Sequence, residues 1–109
     1  RGMKEWTAMD SIFPDGLPFI YNATKWPIVA HNRFWSSDTV YAIQNGGQYE
    51  FLIEDGGLAL PLTETFWDDL FSSAKRDWGL AVYEQDWLLA QFSKMKYTLT
   101  NVTAARTWL

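Results

Sequence analysis

The sequence predicts an α/β fold with parallel strands, and three observations carry that expectation. Helical segments alternate with short apolar runs, the pattern of βα units. The run 79–84 is apolar and then ends in Glu84 and Asp86, which lie two residues apart and so share one face of a strand. A buried strand with an acidic C-terminal tip is how an α/β barrel presents a catalytic or ligand-holding residue. A second apolar run, Ile28-Val29-Ala30, passes in the same way into His31-Asn32-Arg33. The plainer alternative is a surface strand end whose charges are simply solvated.

The elements follow in order along the chain. Pro14, Asp15, Gly16 and Pro18 mark the entry to a short helix over 17–24, with Asp15 or Ser11 available as its cap and Pro18 tolerable only in the first turn. Residues 27–32 read as a buried strand, apolar first and polar at the end. Residues 33–47 read as a long loop containing the turn signal Asn45-Gly46-Gly47. Residues 49–54 alternate well enough for a strand, bounded by Asp55-Gly56-Gly57. The clearest helix is 63–75. Thr63 stands at its N-cap, acids fill its first turns and bases its last, and Phe66, Leu70 and Ala74, with Trp67 and Phe71, form one apolar stripe. A strand over 79–84 follows, then helices over 87–96 and 102–109, the last without a stop signal.

A chain of 109 residues suits one small domain. Its 48% hydrophobic content, with seven Trp, seven Phe and five Tyr, excludes a disordered segment. So much aromatic surface exceeds what a small core needs, so part of it is expected to line a site or to be buried against something outside these residues. Acidic and basic residues are interspersed at a net charge of −4, and without a basic patch no nucleic-acid partner is expected. No apolar stretch approaches the ~18 residues of a membrane span, and no signal peptide is visible. The absence of cysteine excludes disulfides and thiolate metal sites, and a single histidine leaves only scattered carboxylates, so neither metal nor cofactor is expected. There is no phosphate-binding glycine loop and no G-x-S-x-G elbow. Two glycosylation sequons, Asn22-Ala23-Thr24 and Asn101-Val102-Thr103, point to a secreted or lysosomal eukaryotic protein if they are used, the alternative being two accidental matches. The chain opens at Arg1 and closes at Trp108-Leu109 within a helical pattern, so a fragment of a longer protein is expected.

Three stretches resemble the α-galactosidase-like glycoside hydrolases of clan D. Phe13-Pro14-Asp15-Gly16-Leu17 looks like the FPxGL helix entry after an early barrel strand. Trp67 through Trp78-Gly79-Leu80 looks like the helix leading into WG(L/I/V), and Tyr83-Glu84-Gln85-Asp86-Trp87 sits where that group carries its nucleophile strand, K-x-D. The resemblance covers residues 10–90. It implies a (β/α)8 TIM-type barrel, of which residues 1–109 would be a fragment, the first half of a single domain. Where the group carries Lys, this chain has Glu84, which reverses the charge beside the nucleophile position; a nearby like charge tends to raise a carboxylate pKa. The acid/base of the group lies further along the chain and falls on no residue here.

Retaining glycoside hydrolysis needs two carboxyls about 5–5.5 Å apart, one ionised and one protonated. Asp86 is the candidate nucleophile. Glu84, with its Cα ~6.6–6.8 Å away on an extended strand, either faces the same ligand or pairs with Arg33 or Lys4. His31, Asn32 and Arg33 are candidates for hydrogen bonds to sugar hydroxyls, and Trp35 and Trp87 for stacking on a sugar ring. The alternative for His31 is a hydrogen-bonded core residue. The function expected is that of a secreted glycoside hydrolase-like protein acting on or binding α-linked carbohydrate. The alternative is a non-catalytic extracellular structural or binding glycoprotein with a degenerate hydrolase barrel. Expected partners are carbohydrate and either the remainder of the same barrel or copies of the chain itself. A third reading, a free-standing small α/β domain, requires that the 109 residues melt cooperatively.

Overall fold

A computed structural model describes residues 2–108, so expectations at Arg1 and Leu109 lie outside the described residues. Along the chain come helix α1 (Gly16–Thr24), strand β1 (Ile28–Asn32), strand β2 (Trp35–Ser36), a 3-10 turn at Ile43–Asn45, strands β3 (Phe51–Glu54) and β4 (Leu58–Pro61), helix α2 (Glu64–Trp78), strand β5 (Leu80–Gln85), and helices α3 (Leu88–Lys94), α4 (Lys96–Thr100) and α5 (Val102–Trp108).

The strands form two separate sheets. β1 pairs in parallel with β5, and β2, β4 and β3 form an antiparallel sheet in that order. The molecule is therefore α+β, and the expectation of a partial (β/α)8 barrel, with the rest of that barrel as partner, is corrected. The reason lies in Asp55-Gly56-Gly57. Both glycines take positive φ (100° and 82°), which turns the chain straight back on itself. β3 then pairs antiparallel with β4, Phe51 opposite Pro61 and Glu54 opposite Leu58, instead of entering a parallel sheet. Trp35 and Ser36, inside the segment expected as loop, add β2 to the free edge of β4.

The larger core sits between this antiparallel sheet and α2. Trp35 and Phe66 are fully buried at its centre with Ala42, Phe51 and Ala59. The Phe66 ring lies 5.2 Å from Trp35, 5.1 Å from Phe51 and 5.1 Å from Trp67, in edge-to-face or steeply tilted contacts. Such geometry adds to area burial because the positive ring edge meets the negative face. The stripe expected on α2 thus buries Phe66 and Ala74 as its sequence spacing requires. Thr63 does stand at the N-cap in an extended conformation, without a side-chain capping bond.

The helix expected over 87–96 breaks at Met95, which is extended and fully buried against Leu58 and Leu60. Glu54 at the end of β3 explains the restart. Its two carboxylate oxygens accept the backbone N–H groups of Lys96 (2.6 Å) and Tyr97 (2.8 Å), capping α4 with negative charge where the helix dipole favours it. Gln91 Nε2 donates to Ala59 O at 2.7 Å and ties α3 to β4.

α2 is the crossover that makes β1 and β5 parallel. It ends at Gly79, whose φ of 70° closes the helix, and a Cβ there would overlap the Tyr21 ring of α1. That close approach lets α1 pack on the end of α2.

Phe66→Ala removes the ring shared by most of these aromatic contacts and should cost about 3–5 kcal/mol. The shift of the urea unfolding midpoint at constant slope checks it.

Candidate functional site

The parallel ladder places the two polar strand tips side by side. From Val29 opposite Val82 the register runs through Ala30–Tyr83 and His31–Glu84 to Asn32–Gln85, and Asp86 N–H extends it by donating to Asn32 O at 2.8 Å. Alternation then sorts the residues between two faces. Ala30, Asn32, Tyr83 and Gln85 are the more buried set, and Val29, His31, Val82 and Glu84 are exposed.

On the inner face the Tyr83 ring packs against Trp6, Trp67 and Phe71, with centroids 5.3, 5.5 and 5.0 Å away. Burial pushes its phenol pKa up, so the hydroxyl stays protonated and can donate. It donates to Gln85 Oε1, while Asn32 Nδ2 donates to the Tyr83 hydroxyl at 2.8 Å. Gln85 Nε2 in turn donates to the carbonyls of Arg33 (3.0 Å) and Asp86 (3.1 Å). This relay, partly buried at Tyr83 and exposed at Gln85 Nε2, clamps the two strands just where they leave the sheet. Asn32 is fully buried, so it orders the tips instead of meeting a ligand as expected from sequence.

On the open face His31 Nε2 lies 3.3 Å from Asp86 Oδ2, with both side chains about half exposed. Asp86 Oδ1 accepts the Trp87 N–H at 2.7 Å. That bond first, and His31 second, hold the Asp86 carboxyl below the usual carboxylate range, so it is ionised at neutral pH. Arg33 lies over the Trp87 ring at 5.2 Å, and Phe34 packs on the same indole at 6.0 Å. Trp87 itself has φ of 57°, a left-handed conformation that costs a bulky residue free energy and is held by its surroundings. It remains 47% exposed.

The structure therefore brings together His31, Arg33, Glu84, Asp86 and Trp87 on one rim. It does not bring Trp35 there. That residue is wholly buried in the aromatic core, because β2 turns it inward against Phe66, and it cannot stack on a sugar. Glu84 meets neither of the partners considered for it: Lys4 pairs with Asp38, and Arg33 lies on Trp87. Sequence reasoning missed Tyr83 and Gln85, which hold the rim, although period-two alternation from Asp86 and Glu84 would have assigned both to the opposite, inward face.

Three clefts lie near these elements. The largest, about 480 Å³, runs between Trp6, Trp78 and the Asp69–Asp77 side of α2. A smaller one of about 180 Å³ is lined by Trp6, Phe13, Leu17, Ala30, His31 and Trp78, so it reaches the rim from behind His31. The third, about 260 Å³, lies beside Asn101. None of the three is lined by Glu84 or Asp86. Among the described residues no group of three or more His, Cys, Asp or Glu is placed to hold a metal ion, and no helix is long and apolar enough to cross a membrane. No family model, no curated protein and no solved structure matches the chain.

The pH dependence of stability follows from Asp86. Its folded pKa is depressed, so its contribution is present above the ordinary carboxylate pKa of about 3.9 and is lost as pH falls through the lower folded value. Asp86→Asn should lower stability slightly above about pH 4, where that contribution is present, and leave it unchanged in stronger acid, so that the acid limb of the profile flattens. The loss is small because both partners are exposed and screened. Urea midpoints of the two proteins across pH 2–7 check this.

Proposed function

We propose that the rim of His31, Arg33, Glu84, Asp86 and Trp87 binds carbohydrate, in a secreted or lysosomal glycoside hydrolase-like protein that holds α-linked sugar. The observation that carries the reading is the ionised Asp86 carboxylate set 3.3 Å from the only histidine and beside an exposed indole held in a strained conformation. A sugar offers hydroxyl donors and acceptors around an apolar ring face. A carboxylate accepts from two neighbouring hydroxyls, an imidazole and a guanidinium donate, and an indole receives the ring face. Charge-assisted bonds of this kind are the stronger class. Val29 and Val82, 62% and 51% exposed on the same sheet face, leave apolar surface that a second copy of the chain would cover.

Binding is favoured over turnover because Glu84 is exposed on the strand that carries Asp86, in the position where a hydrolase of the resembled group has a cation. The second reading, hydrolysis with Asp86 as nucleophile, draws on the depressed pKa of that carboxyl, since an attacking carboxylate must be ionised. It requires an acid supplied by a residue not identified among 2–108.

Addition of methyl α-glycosides at roughly millimolar concentration should perturb the NMR resonances of His31, Asp86 and Trp87, and Asp86→Ala should weaken binding about tenfold or more, the 1.5–3 kcal/mol of a charged hydrogen bond. Unperturbed rim resonances would remove the proposal. Turnover of aryl α-glycosides that disappears in Asp86→Asn would replace the binding reading with the hydrolytic one.

A further inference from the structure

The two sequons occupy different surroundings. Asn22 lies in the last turn of α1, where its Oδ1 accepts from Lys25 Nζ at 3.3 Å and the Thr24 hydroxyl donates to Ile20 O. A group attached there projects from an exposed helix face with no cleft beside it among those described above. Asn101 instead sits at the junction of α4 and α5 and acts as the N-cap of α5: its Oδ1 accepts the Ala104 N–H at 3.0 Å. The capping bond uses only the oxygen, which leaves Nδ2 to carry a substituent. Asn101 also lines the cleft of about 260 Å³ together with Leu62, Glu64, Trp67 and Tyr97.

We infer that Asn101 carries an N-linked glycan whose first sugar lies in this cleft, against the Trp67 and Tyr97 rings and within reach of the Glu64 carboxylate. The inference shares the secretory reading made above but is independent of the rim. In the step itself Nδ2 of Asn101 bonds to C1 of the sugar as the C1–O bond to a lipid-linked diphosphate donor breaks. The diphosphate leaves with the bonding pair, and one amide proton passes to a base of the transferase. Aromatic rings against the apolar face of the sugar and a carboxylate toward its N–H and hydroxyls match the chemistry of an N-acetylated hexosamine. Packed in this way, the sugar bridges β4 and the start of α2 to the α4–α5 junction, and its burial stabilises the folded chain alone.

The substitution Asn101→Asp separates the glycan from the cap, because Asp caps as well as Asn but accepts no sugar. The full chain is made in a glycosylating secretory host and in bacteria. Peptide mapping after release by a peptide N-glycosidase should find Asn101 converted to Asp in the secreted protein. The secreted chain should melt about 4–8 °C above the bacterial one, the shift expected of roughly 1 kcal/mol in a domain of this size. Asn101→Asp should abolish that difference, and Asn22→Asp should leave it in place. An unmodified Asn101, or glycosylated and bare chains that melt together, would overturn the inference. The first outcome removes the modification and the second removes the packed sugar.

Discussion

Backbone pairing of residues 28–32 with residues 80–85 has a consequence that no local feature of either segment supplies. Two strands 52 residues apart in sequence at their first paired position, Ile28 and Leu80 being separated by β2, β3, β4 and α2, must run in the same direction to place both polar ends together. An antiparallel arrangement of the same two segments would carry His31 to the far end from Asp86. Parallel pairing requires a crossover, and α2 provides it, with its apolar stripe against the aromatic core and its end closed by Gly79. The aromatic core, the helix and the rim are therefore one mechanical unit. Loss of packing at Phe66 would loosen the helix that sets strand direction.

Within that frame the tips are held by a division of labour between the two faces of one short sheet. Tyr83, kept protonated by burial, has a hydroxyl able to donate to Gln85 while accepting from Asn32, and Gln85 reaches the carbonyls beyond both strands. The Asn32–Tyr83 and Tyr83–Gln85 bonds are partly buried, where the surroundings strengthen them. On the open face the contacts are exposed and individually weak, as screened pairs are. The rim is thus pre-positioned from behind while its chemistry stays accessible in front, which is the arrangement a binding edge needs.

Local pattern made much of the secondary structure legible. The 3.6-residue spacing of Phe66, Leu70 and Ala74 marks α2, and the apolar-to-polar gradients of 27–32 and 79–84 mark β1 and β5 to within a residue. The juxtaposition of His31 with Asp86 also follows from reading both as C-terminal ends of parallel strands. Illegible was the antiparallel sheet. Leu58–Pro61 is a four-residue apolar strand buried throughout, with no alternation to reveal it, and β2 is only two residues long. The Asp55-Gly56-Gly57 turn was the available signal, and taken as a hairpin it would have argued against a barrel. Trp35 follows the rim residues His31 and Arg33 in sequence yet is wholly buried in the core. Burial is decided by tertiary packing, which a five-residue window does not contain.

The parallel ladder is tested most directly by cross-strand NOEs in the labelled protein. The account expects contacts in a parallel pattern linking Ala30 to Tyr83, His31 to Glu84 and Asn32 to Gln85, with Val29 against Val82. A backbone ladder pairing 28–32 with any segment other than 80–85, or an antiparallel pattern with 80–85, would contradict it and would separate the two halves of the rim.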